Sequence, residues 1–285
     1  GTVWALYDEE RVFGKSNDKR IVIHAGGQSR RLPSYAPSGK VLAPIPIFRW
    51  SRGQSVEQNL LSIQTPLYER IMESTHPEQN TLIASGDMLI YAPKLPSFMP
   101  KADVVCFGIW ASPQLATNHG VFFTKRDKSG ELDFMLQKPS HAEIEELSQT
   151  HLYLMDIGVW VLSDKAVDVL KKKCGWNGDS FEGGMPSFYD LYSEYGISLG
   201  VNPTSKDEDI SPLTVEIVTL EEGEFYHYGT SPELISSTDK IQNKVIDQRN
   251  IWQKKVKPQS SIFVLNSDCN YRFDSYNRNI WIENS

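Results

Sequence analysis

Residues 21–46 read IVIHAGGQSRRLPSYAPSGKVLAPIP, and the reading of this stretch decides the fold. Ile21-Val22-Ile23 is a short β-branched apolar run, the pattern of a buried strand. It leads directly into Gly26-Gly27-Gln28-Ser29-Arg30-Arg31. Paired glycines let the backbone turn sharply and bring its N–H groups against a ligand with no Cβ in the way. Arg30 and Arg31, followed by Gly39-Lys40, add fixed positive charge. Strand, glycine turn and basic cluster together are the pattern expected of a polyphosphate site; a common turn carrying solvated arginines is the plainer alternative. The P-loop is excluded because Val41, not Ser or Thr, follows Lys40 and the glycine spacing differs. A dinucleotide fingerprint is excluded because no acidic residue stands some twenty positions on.

Working outward, residues 55–74 (SVEQNLLSIQTPLYERIMES) place Leu60, Ile63, Leu67 and Ile71 at helical spacing, with Pro66 expected to kink or divide the helix. Thr81-Leu82-Ile83-Ala84 is the next buried strand and ends in Ser85-Gly86-Asp87. Ligands of an open α/β sheet bind at the carboxyl ends of its strands, so Asp87 is placed to hold a divalent metal against phosphates. A turn aspartate after glycine is the plainer alternative. Residues 103–111 (DVVCFGIWA) read as an inner strand. A hairpin is expected from His119 through the turn at Lys128-Ser129-Gly130 and back to Leu136. An antiparallel pair is thereby added to a mainly parallel sheet.

Asp156 interrupts the apolar run of residues 153–162 (YLMDIGVWVL). A carboxylate there must be paired, hydrogen-bonded or lining a cavity, and both a sugar-hydroxyl ligand and a structural hydrogen bond satisfy that demand. Residues 166–173 are expected to be helical, and the glycine- and aromatic-rich residues 176–195 to contain a loop and a short helix. Asp207-Glu208-Asp209 has the D-x-D form of many glycosyltransferases but lies in polar sequence, and is expected as a solvated loop. Residues 8–20 (DEERVFGKSNDKR) are likewise expected as loop, and residues 143–147 as an exposed helical turn of no function.

The octapeptide AGGQSRRL of residues 25–32 resembles the A-G-G-x-S-x-R-[LM] signature of the sugar-nucleotide and molybdopterin nucleotidyltransferases. The longer GGQSRRLPSYAPSGKVLAPIP is similar to the guanylyltransferase part of the bacterial bifunctional L-fucokinase/L-fucose-1-phosphate guanylyltransferases. The resemblance implies a Rossmann-like α/β core with a mixed, mainly parallel sheet. It further implies that Gly26, Gly27, Ser29, Arg31 and Lys40 bind the nucleotide and that Asp87 is a Mg2+ ligand. Gln137-Lys138-Pro139 matches a Glu-Lys-Pro motif whose lysine meets the sugar phosphate, with Gln137 replacing the acid. On its own, a lysine before proline is a solvated loop charge. Asp156 matches a sugar-contacting position. Residues 225–230 (FYHYGT) resemble a late D-x-G-T motif in which the second metal ligand is acidic, and here His227 stands in its place. Imidazole binds magnesium poorly, so a metal, a phosphate or sugar contact, and a satisfied core histidine all remain open for His227.

The implied reaction is transfer of GMP from GTP to L-fucose-1-phosphate, giving GDP-L-fucose and pyrophosphate. Two rivals carry different chemistry: a metal-dependent GT-A-type glycosyltransferase and a catalytically silent nucleotide-sugar sensor. The net charge of −7 argues against nucleic acid as a partner. No apolar run has membrane-spanning length. Cys106, Cys174 and Cys269 are odd in number and far apart, as buried thiols of a reducing, cytoplasmic compartment would be.

The expected division is a nucleotidyltransferase domain over residues 1–230, a linking helix over 231–257 and a β-helix coil over 258–285. The last rests on the recurrence of IFVLNS at 262–267 as IWIENS at 280–285. An offset of eighteen is three hexapeptides, the period of one left-handed parallel β-helix coil. A single coil buries one face only, so the chain is expected to continue into further C-terminal domains, and its opening Gly1 is expected of a fragment.

Overall fold

The computed structural model describes residues 1–14, 16–25, 30–46, 58–245, 261–274 and 276–285, without the side chains of 242–245. In chain order the elements begin with α1 (Thr2–Phe13), β1 (Arg20–His24), α2 (Leu60–Glu73), β2 (Thr81–Ser85), β3 (Met88–Tyr91) and β4 (Val104–Ile109). Next come α3 (Pro113–Ala116), β5 (Gly120–Lys125), β6 (Leu132–Gln137), α4 (His141–Leu147), β7 (His151–Leu162) and α5 (Asp164–Lys173). The last are β8 (Val215–Thr219), β9 (Glu224–His227), α6 (Ser231–Val245), β10 (Ile262–Leu265) and β11 (Ile280–Glu283). The chain weaves between two compact units. The first comprises Gly1–His24, Leu67–Ser85 and Tyr91–Glu224; the second comprises Ala25–Pro66, Gly86–Ile90 and Phe225–Ser285.

The first unit is built on a seven-stranded mixed sheet ordered β1-β2-β7-β4-β8, with β5 on β7 and β6 on β5. β1, β2, β4, β5 and β8 share a direction, and β6 and β7 oppose them. The expected α/β core with an antiparallel hairpin is therefore present, but β7 adds a second reversed strand at its centre. β7 works in two halves. Its C-terminal half pairs with β2 from Leu162↔Thr81 to Val159↔Ala84. Its N-terminal half pairs with β5 from Met155↔Val121 to His151↔Lys125. Gly158, at φ 67°, separates the halves, and β4 on the other edge shifts register between Cys106 and Gly108. A left-handed glycine with a register shift is a bulge that re-aims neighbouring side chains.

The core of this unit gathers Ile83, Phe122, Leu154 and Trp160 from the sheet with Val167 and Leu170 from α5. Val3 and Leu6 of α1 belong to it, and Tyr7 packs edge-on against Phe181. The loop expected over residues 8–20 is thus helical through Phe13. Its acids are paired: Glu9 and Glu10 receive Arg20 at 3.0 and 3.2 Å, and Lys171 reaches Glu10 at 2.7 Å. Salt-bridged carboxylates on one face let a polar sequence stay helical against a core.

Further expectations are corrected. Pro66 lies inside α2 and does not divide it, and the buried stripe is Leu60, Gln64, Tyr68, Ile71 and Met72 rather than one including Ile63 and Leu67. Asp207 and Asp209 are not merely solvated. Lys173 bridges them at 2.7 and 2.9 Å, and the Asp207 carboxylate accepts the N–H groups of Asp209 and Ile210. The residues 143–147 given no function contain Glu143, which completes a capping box with Ser140 at the start of α4.

In the second unit β3 pairs with β9, and β10 pairs with β11 in parallel. The register Ile262↔Ile280 to Leu265↔Glu283 is the eighteen-residue offset read from the sequence. α6 fills residues 231–245 of the expected linking helix; residues 246–257 lie outside the described residues.

Candidate functional site

The second unit brings together residues far apart in sequence. Leu32, Tyr35, Val41, Ala43 and Ile45 of the basic loop are buried, which fixes the backbone that carries Lys40. Gly39 has φ 78°, and a Cβ there would lie 2.8 Å from the Ala25 carbonyl oxygen. Only glycine permits both that conformation and that approach. Lys40, which follows it, donates from Nζ to the Asp87 carboxylate at 3.1 Å and to the Gly229 carbonyl at 3.1 Å.

Asp87 follows β2 through Gly86, and its backbone carbonyl accepts the Tyr228 N–H at 2.8 Å. That bond holds it beside His227, whose Nε2 is 3.6 Å from Asp87 Oδ2. The other ring nitrogen, Nδ1, is 3.0 Å from Glu233 Oε1. Gly229 is required here as well, since a Cβ would fall 2.2 Å from the His227 ring. Burial by itself would lower the His227 pKa, but the carboxylates of Asp87 and Glu233 outweigh it and the net direction is upward. Burial would raise Glu233, and His227, Thr230 and Arg31 more than offset it, so Glu233 is lowered. Arg31 is solvent-exposed and acts on this cluster through its charge.

Glu233 was not singled out in the sequence, although Thr230-x-x-Glu233 ahead of an apolar run is a helix-start signal. Its carboxylate accepts from Thr230 Oγ1 at 2.8 Å at the head of α6. Gly26, Gly27 and Ser29 lie outside the described residues.

The first unit holds the other sequence candidates. Asp156 is buried on β7, where Oδ1 accepts from the Gly158 N–H at 2.8 Å and from Trp160 Nε1 at 3.1 Å. Burial pushes its pKa up to about 7 despite those two bonds. Gly120 packs against it: a Cβ there would meet Met135 Cε at 2.4 Å, Gln137 Oε1 at 2.9 Å and Asp156 Cβ at 3.3 Å. Gln137 Oε1 is buried there with no hydrogen-bond partner. Lys138 is exposed, with φ 51°, immediately before Pro139. The residue before proline is confined to extended backbone, so a non-glycine at positive φ there is strained by about 1–3 kcal/mol. Its N–H donates to the His119 carbonyl at 2.9 Å, which holds that conformation.

Among the described residues no group of three or more His, Cys, Asp or Glu side chains could hold a metal ion. None of their helices is long and apolar enough to cross a membrane. Asp87 supplies one carboxylate. Magnesium is commonly held by one or two protein carboxylates with phosphate and water oxygens completing the octahedron, so Asp87 fits the ion as a lone ligand. His227 is engaged by the carboxylates of Asp87 and Glu233.

Two relatives align with the chain. A Bacteroides fragilis L-fucokinase/L-fucose-1-P guanylyltransferase is 53% identical over 293 residues, covering 100% of this chain and 30% of the relative. An Arabidopsis thaliana bifunctional fucokinase/GDP-fucose pyrophosphorylase is 20% identical over 259 residues, covering 81% of this chain and 24% of the relative. The chain thus spans less than a third of either protein's length. A UDP-glucose pyrophosphorylase solved with UDP-glucose superimposes with a TM-score of 0.48 at 10% identity, over 80% of this chain and 99% of its own. The fucose pyrophosphorylase domain model matches residues 16–175. That stretch takes in more than half of the sequence, Lys40, Asp87 and Lys138 among it, and the chain belongs to the fucose pyrophosphorylase family.

Proposed function

We propose that this chain transfers GMP from GTP to L-fucose-1-phosphate, releasing pyrophosphate and forming GDP-L-fucose. The observation that carries the reading is the 3.1 Å approach of Lys40 Nζ to Asp87, two residues 47 positions apart that were each expected at one triphosphate. Family membership and the names of the relatives support the sugar and the base.

In this reading Lys40 and Arg31 hold the triphosphate, with Gly26, Gly27 and Ser29 at the turn. Two of the three Lys40 N–H donors point at Asp87 and Gly229, which aims the ammonium without saturating it. Asp87 is assigned to Mg2+, which would neutralise and orient the phosphate oxygens. His227, set between Asp87 and Glu233, positions the Asp87 carboxylate and is not counted as a magnesium ligand. Lys138 is assigned to the acceptor phosphate, and its strained backbone supports a role beyond a solvated charge. Asp156 is assigned to a sugar hydroxyl through the carboxylate oxygen that Gly158 and Trp160 do not use.

The attacking group is a phosphate oxygen already ionised near neutral pH, so no protein base or covalent nucleophile is required. Catalysis comes from bringing two anions together and neutralising the charge that develops between them. The glycosyltransferase reading loses its only D-x-D candidate, because Asp207 and Asp209 are held by Lys173. We further assign β10 and β11 to adjacent rungs of a left-handed parallel β-helix, supported by their eighteen-residue register. The free, buried Cys106 and Cys174 support a reducing, cytoplasmic setting.

The test is pyrophosphate release by the full-length protein from a panel of sugar-1-phosphates crossed with the four triphosphates and Mg2+. Release with GTP and L-fucose-1-phosphate, lowered about 10²–10³-fold in Lys40→Ala, is expected. Nucleotide binding without release would favour the silent sensor. Lys138→Ala is expected to raise KM for the sugar phosphate and leave that for GTP in place.

A further inference from the structure

The basic loop carries a second anchor that its sequence does not suggest. Tyr35 lies between Arg31 and Lys40, at the end of a tight turn formed by residues 33–35. The backbone bonds around it are local: Tyr35 N–H to the Leu32 carbonyl and Ala36 N–H to the Pro33 carbonyl. Nothing in those bonds ties the turn to the rest of its unit. The tyrosine side chain does. It is buried, and its Oη donates to the Glu283 carboxylate, 248 residues away on β11. The same carboxylate oxygen accepts the Trp281 Nε1–H at 3.1 Å, and the Trp281 ring packs against Phe263 of β10 with centroids 5.3 Å apart. Glu283 is thus held in place on the parallel strand pair, and Tyr35 is held by Glu283.

A hydrogen bond to an ionised carboxylate is about twice as strong as one between neutral groups, and it is directional. Placed midway between two cationic side chains of a turn, it fixes where both can reach. We infer that Tyr35 and Glu283 form a positioning pair through which the β10–β11 strands set the geometry of the basic loop, and with it the affinity for the nucleoside triphosphate. Neither residue touches substrate in this account. The inference rests on the reading of Arg31 and Lys40 as triphosphate ligands. It adds a role for strands that the transfer chemistry leaves unused: anything that moves β11 changes nucleotide binding at the loop.

The experiment uses the full-length protein with Tyr35→Phe, Glu283→Ala and the double variant. Three quantities are read: steady-state KM and kcat for both substrates, the Kd of GTP by calorimetry without acceptor, and amide hydrogen exchange of residues 32–42 without ligand. Each single variant is expected to raise KM and Kd for GTP about tenfold, with kcat at saturating GTP and KM for L-fucose-1-phosphate within twofold. The double variant is expected to be no weaker than either single one, since both remove the same bond. Exchange over residues 32–42 is expected to rise equally in all three.

Multiplying effects in the double variant, an unchanged GTP affinity, or parallel losses for both substrates would overturn the inference. If the wild type releases no pyrophosphate from GTP and L-fucose-1-phosphate, the functional reading fails by itself. The positioning pair then stands or falls on GTP Kd and exchange alone. A protein that is active while Tyr35→Phe binds GTP as the wild type does would sink the pair and leave the function intact.

Discussion

Asp156→Asn tests the environment of the most deeply buried carboxylate among the described residues. The ordinary Asp pKa of 3.8 is pushed up to about 7 by burial on β7, with the Gly158 N–H and Trp160 Nε1–H offsetting part of that cost. Between those two values the native state binds more protons than the unfolded state, so stability falls as pH rises through this window. Three decades of proton affinity at ~1.4 kcal/mol each give about 4 kcal/mol for the full span. Integrated from pH 5 to pH 8, the loss is about 2–3 kcal/mol. Cys106, the titratable neighbour on β4, is held well above its ordinary value, first by burial and then by Asp156, and remains a thiol throughout.

The asparagine variant keeps an oxygen to accept both bonds and has no charge to bury. Whatever fixed cost its amide N–H groups bring is independent of pH. Urea unfolding of both proteins at half-unit steps from pH 5 to pH 8 therefore measures the carboxylate by difference. The variant should gain about 2–3 kcal/mol on the wild type across the range. A flat difference, or a wild type that gains on the variant with rising pH, would refute the reasoning by showing that the buried anion is stabilised.

Gly39→Ala places a Cβ against the Ala25 carbonyl at φ 78° and should cost about 1–3 kcal/mol of stability in urea unfolding, with weaker GTP binding by calorimetry. Ser163→Ala removes the cap that accepts the Ala166 N–H at the start of α5 and should cost ~1 kcal/mol by the same measurement. Lys173→Met leaves Asp207 and Asp209 without their shared cation, and the expected loss is on the order of 1 kcal/mol. Burial would raise Asp207, but Lys173 and two backbone N–H groups hold its pKa below the ordinary value. The stabilising contribution is present above the ordinary carboxylate range and fades as pH falls through it, so wild type and variant should converge in acid.

Much of the site could be read along the chain because its signals are local. Arg31 and Lys40 both follow the Gly26-Gly27 pair in sequence, and Asp87 sits two residues beyond the end of a buried strand. The approach of Lys40 to Asp87 agrees with the rule that ligands gather at strand ends. Glu233 was legible in principle as the fourth residue of a helix-start pattern. Its pairing with His227 was not, because a cap and an ion-pair partner have the same spelling. The stripe on α2 shows the same limit. Ile63 and Leu67 obey helical periodicity, yet Gln64 is buried instead, since its amide donates to the Met88 carbonyl.

Hydrophobic periodicity and turn chemistry are properties of neighbours in sequence, and they were sufficient for the β5–β6 hairpin, the strand at β7 and the eighteen-residue repeat of β10 and β11. Tertiary structure alone decided what depends on partners far along the chain. It made a helix of the polar N-terminal segment by pairing its acids with Arg20 and Lys171, and reversed β7 at the centre of the sheet. It also tied Tyr35 to Glu283. A charge or a hydroxyl carries no mark of the partner that will satisfy it, so only the folded arrangement selects which one does.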